Sequence, residues 1–362
     1  MLSSLFKLVP TQPPASLKLH SHFTLRLFRR AANLCLALSV SHCILVAQSS
    51  TGTLIAVNQD DADVSIVDAQ AAKEVARVPE GAVAGHEVAT SLDGKIAYVP
   101  IYGDSSVGEA GSDGREMVAI DLASRKVVGR LDFGHGVRPH CILMNPNDGL
   151  LYVTTELDRT VTIVDPNALK IVGTIPTGQE QSHMLAISNN GRFAYTANVG
   201  PGSVSVLDLK SRKLVGVIKV SGAVQRISIS PDDREVFTAD QTSPRLAVID
   251  TATNTVESWI PLPAVAYGSA ITPDGRWLLV TLPHSYAVAV VDLKTRHVVR
   301  TIPVPKGPHT VLLSPDKQTA YIACISSGSV AVIDLSDWSV KGLIKVGKGA
   351  DGIGWASSHE GN

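Results

Sequence analysis

Two stretches of the chain share one pattern: RPHCILMNPNDGLLYVTT from Arg138 and GPHTVLLSPDKQTAYIAC from Gly307. Each sets a His just before a short apolar run. The same place recurs at His86, His183 and, as a carboxylate, Asp351, with Gln225 and Tyr267 in the two remaining copies. Imidazole and carboxylate groups brought together suit a divalent transition metal such as Zn²⁺, Cu²⁺ or Fe²⁺. His86, His140, His183, His309 and Asp351 are therefore the expected metal-ligand set. A metal there would activate water for hydrolysis or elimination, with Glu156 as a nearby base. The competing reading is structural: a repeated His can hydrogen-bond a neighbouring repeat's backbone and hold the repeats in register. For recognition of a polar ligand, the expected residues are Arg138, Glu156, Gln225, Tyr267 and Asp104. No Ser-His-Asp spacing or nucleophile elbow supports a covalent route.

The elements that would carry these residues form a repeat. Seven short apolar runs end in Asp: VSIVD (Asp68), MVAID (Asp121), VTIVD (Asp165), VSVLD (Asp208), LAVID (Asp250), VAVVD (Asp292) and VAVID (Asp334). Their spacings are 53, 44, 43, 42, 42 and 42 residues. Within one unit, HTVLLS, TAYIAC, VAVID and SVKGLI read as four strands separated by turns such as PDKQ. Four short strands per unit of this length predict a β-propeller of seven four-stranded blades, an all-β fold. The first unit starts at a second strand, TLIAVN, and the chain ends with a lone first strand, GADGIGWAS. Those two ends are expected to complete one blade and close the ring, hiding the strand edges. Counting back 25 residues from five of the terminal Asp residues reaches His140, His183, Gln225, Tyr267 and His309. His86 lies 35 before its Asp, because that blade carries a ten-residue insertion within YGDSSVGEAGSDGRE. The position falls at the entry of each innermost strand, at the top rim of the central channel. The insertion lies on the same face, where a lid or ligand-gripping role is expected.

These motifs resemble the YVTN-repeat β-propeller family, in the stretches PHTVLLSPDK, PHCILMNPNDGLLYVTT, AITPDGRWLLVT and AYTAN and in the terminal Asp residues. The resemblance runs over about residues 53–356. It implies the seven-bladed fold and, for function, a range from binding and surface-layer proteins to distant seven-bladed lactonases and lyases.

Composition narrows the classes. The 362 residues carry 32 Lys and Arg against 33 Asp and Glu. The first 47 residues hold five of the basic groups, no acidic one, and the apolar run AANLCLALSVSHCILVA. That segment reads as a secretory signal cleaved near Ala47, or as an uncleaved N-terminal anchor. Residues 48–362 then form the propeller, with a net charge near −6, which excludes nucleic acid as the main partner. The protein is expected to be exported to a periplasmic, cell-surface or extracellular location. Its leading expected role is a binding or scaffold protein taking a protein partner or small ligand on the top face. The alternative is a metal-dependent hydrolase or lyase using the His/Asp rim. Membrane contact is expected only if the N-terminal segment is retained.

Overall fold

The computed structural model describes residues 52–357. The expected signal or anchor over residues 1–47 lies outside them. Seven four-stranded antiparallel sheets follow one another, each in simple consecutive order except the last to close. Blade 1 covers residues 89–132, blade 2 139–176, blade 3 182–219, blade 4 224–261, blade 5 269–303 and blade 6 308–345. Blade 7 joins the strand Ala350–Ser357 to residues 52–79, with Thr53 opposite Ala356 and Leu54 opposite Trp355. The closure expected from the two incomplete units is therefore present. Among the described residues no helix is long and apolar enough to cross a membrane.

Burial explains the composition of each strand. Third strands such as Ser203–Asp208 are buried on both faces, because each blade is sandwiched between two others. They are accordingly rich in Val and Ile, which fit a pleated surface. Outer strands such as Lys213–Lys219 alternate exposed and covered residues, as a half-buried edge requires. The core is interblade: Ile55, Val57 and Val64 of blade 7 belong to one buried cluster with Val99, Val118 and Ile120 of blade 1. Each such side chain contributes about 1.5–3 kcal/mol by leaving water.

The seven terminal Asp residues all have a structural task. Each carboxylate accepts a backbone N–H two or three residues on, for example Asp68 from Ala71 at 2.8 Å and Asp208 from Ser211 at 2.7 Å. Four residues after each Asp the chain turns left-handed, at Ala72, Arg125, Leu169, Arg212, Asn254, Arg296 and Trp338. One turn thus repeats seven times without a glycine. The two Cys residues in this region, Cys141 and Cys324, are buried free thiols.

Candidate functional site

A break in strand pairing builds the site. In blade 2 the register with the second strand skips from Pro139 to Ile142, leaving His140 and Cys141 unpaired. Blade 4 skips Gln225 and Arg226, blade 6 skips His309 and Thr310, and blade 7 skips Asp351 and Gly352. Blade 3 skips His183 alone. Such bulges re-aim side chains. Here the first unpaired position faces a chamber of about 470 Å³ lined by His140, His183, Gln225, His309 and Asp351, and Tyr267 lines it from just before blade 5's inner strand, Ser269–Ile271. His86 also lines it, from a segment before its blade's very short inner strand, Ala89–Thr90. The next position faces a second cavity of about 180 Å³, lined by Glu87, Cys141, Met184, Arg226, Gly268 and Thr310.

Arg226 ties this second ring to the first. Its guanidinium reaches Glu87 Oε1 at 2.5 Å and Asp351 Oδ1 at 2.8 Å, with all three residues buried. Burial alone would push Asp351 up, but Arg226 first, then His309 and His86, hold it well below the carboxylate range. Burial pushes Glu87 up, and the charge on Asp351 adds to this against the pull of Arg226.

The imidazoles are sorted by two buried carboxylates. His309 Nδ1 lies 3.1 Å from Asp351 Oδ1, and Tyr267 stacks on its ring at 4.2 Å. In the neutral ring, a proton on Nδ1 facing Asp351 leaves Nε2 with a lone pair. His86 Nδ1 lies 3.7 Å from Asp351 Oδ2, while its Nε2 accepts from Gln59 Nε2 at 2.8 Å. Only Nε2 of His86 is hydrogen-bonded; its Nδ1 stands beside the Asp351 carboxylate. His183 Nδ1 lies 3.3 Å from Glu156 Oε2, which also accepts from the Tyr102 hydroxyl at 2.8 Å. His140 and His183 rings stand 3.5 Å apart, and His140 Nδ1 is buried without a partner. Burial lowers His86 to about 4, lowers His183, and lowers His140 well below its ordinary value. Burial raises Glu156, but His183, Tyr102 and Arg138 outweigh it, so the carboxyl sits below its ordinary value.

The expected metal-ligand residues do meet at one chamber, with His86, His183 and His309 beside carboxylates and His140 against the His183 ring. Among the described residues no group of three or more His, Cys, Asp or Glu side chains is arranged to hold a metal ion. Of the residues expected to grip a ligand, Gln225 and Tyr267 line the chamber, and Gln225 Oε1 is buried without a partner. Glu156 forms its wall through Tyr102 and His183. Arg138 stands behind that wall, bound to Asp113 at 2.6 Å and to the Glu109 carbonyl at 2.7 Å. It thereby staples the blade 1 insertion, whose residues Ser105, Ser106 and Val107 close one side of the chamber. Asp104 is exposed and holds the same loop together through Ser112, away from the chamber.

Sequence counting missed Gln59, Tyr102, Glu87 and Gln241. Gln59, Glu156, Val199 and Gln241 each directly follow a blade's second strand. The count used for the inner strands would have found them if applied there too.

Residues 119–257 match the protein family described as "Lactonase, 7-bladed beta-propeller". That span carries Arg138, His140, Glu156, His183, Gln225 and Arg226, and leaves out His86, His309 and Asp351. A 129-residue stretch is 30% identical to 6-phosphogluconolactonase of Bacillus subtilis (strain 168), covering 29% of this chain and 37% of that protein. The chain thus matches well under half the length of this curated relative. Among solved structures, hydrazine synthase of Kuenenia stuttgartiensis aligns with a TM-score of 0.68 at 22% identity, over 78% of this chain and 92% of that one. A functionally unknown protein from Desulfotomaculum acetoxidans DSM 771 aligns at 0.71 and 15% identity, over 85% and 100%. At these identities the two structures share the fold.

Proposed function

We propose that the protein is a hydrolase that opens a small cyclic ester, a lactone, in the chamber at the mouth of the channel. The observation that carries this reading is the His309–Asp351 dyad, whose imidazole keeps Nε2 free at the chamber. The match of residues 119–257 to lactonases supports the substrate class.

His309 Nε2 takes a proton from water as the water oxygen attacks the lactone carbonyl carbon. Asp351 steadies the imidazolium that forms, and Arg226 fixes Asp351 from below. The tetrahedral intermediate collapses by breaking the ring C–O bond. The imidazolium returns its proton to the departing alkoxide, leaving a hydroxy acid and neutral His309. The His183–Glu156 pair and Gln225 line the chamber beside it and orient the substrate.

The expected metal-dependent route and this one separate experimentally. We expect lactone hydrolysis to survive a chelator, and His309→Gln to lower kcat by about 10²–10⁴, the range for losing a general base, with little change in KM. Unchanged kcat in His309→Gln, with the variant folded, would refute the assignment. Loss of activity on chelation that added Zn²⁺ restores would support the metal route instead. If no lactone is opened, the binding role on the top face uses the same chamber. The finer likeness to YVTN repeats rests on the repeat motifs.

A further inference from the structure

We propose that the chamber selects an uncharged lactone and rejects one carrying a phosphate. This rests on the lactonase reading and deepens it. It follows from what lines the chamber. Among the described residues, its wall contains no Lys or Arg, and the carboxylate of Asp351 is one of its groups. The imidazoles that line it with lowered proton affinity, His86, His140 and His183, are neutral at pH 7 and supply no positive charge.

The nearest guanidiniums are committed elsewhere. Arg226 lies in the ring below, bound to Glu87 and Asp351, two carboxylates against one cation. Arg138 lies behind the wall, bound to Asp113 and two backbone carbonyls, with Glu156 4.0 Å away. A smaller cleft of about 230 Å³ on the far side of Glu156 contains Arg138 and Arg159. It also contains Glu109, Glu156 and Glu180, and Arg159 is paired with Glu180 at 2.5 Å. Neither cavity therefore offers a free cation to a phosphate dianion, and in both the dianion would face carboxylates. Phosphate recognition calls for Arg or Lys donors.

What the chamber does offer suits hydroxyl groups. Amide and hydroxyl atoms of Gln59, Ser106, Gln225 and Gln241 line it. A neutral polyhydroxy lactone can satisfy these atoms without bringing charge into the site.

The test measures binding and turnover separately, on the full chain. Binding uses gluconolactam, a ring amide that ester hydrolysis does not consume, and its 6-phosphate, by calorimetry. We expect the unphosphorylated lactam to bind at least tenfold tighter. Ser106→Lys, which adds a cation at the exposed edge of the chamber, is expected to tighten the phosphorylated lactam at least fivefold and narrow that ratio. Equal or tighter binding of the phosphorylated lactam by the unaltered protein overturns the inference, and so does binding of neither. Turnover is then followed with gluconolactone and 6-phosphogluconolactone. Selective binding of the neutral lactam without turnover of either lactone keeps the selectivity and removes the hydrolase reading. Faster turnover of the phosphorylated lactone keeps the hydrolase reading and removes the selectivity.

Discussion

Replacing Arg226 with Met tests the charge network under the chamber. Met has similar reach and no charge, so packing against the Tyr267 ring, now 5.2 Å from the guanidinium, is largely kept. What disappears is the single cation between Glu87 and Asp351, which are only 7% and 4% exposed. Removing one partner from a buried ionic cluster costs about 3–5 kcal/mol. The sign with pH follows from the remaining groups. Without Arg226, Glu87, already raised by burial, titrates further above its unfolded value, and Asp351 keeps only His309 and His86 against its own burial. Stability is then fully present below about pH 4 and is lost as pH rises through the raised folded values. Arg226→Met should therefore melt close to the parent near pH 4 and on the order of 8 °C below it at pH 8. Scanning calorimetry of both proteins at pH 4, 6 and 8 reads this directly. Adding Glu87→Gln to Arg226→Met should recover roughly half of the loss at pH 8. An equal Tm deficit at every pH would mean that only packing had been lost, and would refute the charge argument.

Two further changes probe the scaffold. Glu80 is buried, accepts from the Gly85 N–H at 2.8 Å, and is pushed up to about 7 by burial. Its folded value lies above its unfolded one, so stability falls between about pH 4.5 and 7, by roughly 3 kcal/mol at 1.36 kcal/mol per pKa unit. Glu80→Gln should remove that slope, and a denaturation series across this range that shows the same slope in both proteins would contradict it. Ala72 is exposed and left-handed, with φ at 48–49° shared by Ala62 in the preceding turn. Ala72→Gly should raise stability by about 0.5–1 kcal/mol by relieving that conformation, and a lower urea midpoint would argue against strain there.

The ring was readable because its signal is covalent spacing. Seven Asp residues at near-constant intervals mark the same turn, and each does bond its own turn's backbone. Counting from them also reached the chamber-lining positions, since a bulge recurs at that place in blade after blade. The partners of those residues were not readable. Gln59 and Tyr102 sit at the offset that Glu156 occupies, nine residues before the terminal Asp once the insertion is discounted, and Glu87 sits at that of Arg226; that they meet His86, Glu156 and Arg226 depends on how the blades converge on the axis. The expectation that repeated histidines bond a neighbour's backbone points at the correct neighbour but the wrong atoms. The side chains of His183 and His309 bond carboxylates on adjacent blades, while their carbonyls accept from Thr154 and Thr281. Spacing says where a side chain enters the channel; what it touches depends on how far each side chain reaches across.

The closing blade gives the proposed chemistry a timing. Asp351 lies on the strand Ala350–Ser357, which is held by pairing with Gly52–Asn58, close to 300 residues earlier in the chain. His309, the group it orients, belongs to the blade before. During synthesis every other chamber residue leaves the ribosome before Asp351 does. A nascent chain can stack six blades and still lack the carboxylate that aligns His309 and balances Arg226. The strand that seals the ring is thus also the one that arms the site, so that chains stalled or clipped before residue 350 would lack the proposed dyad and leave Arg226 with Glu87 alone.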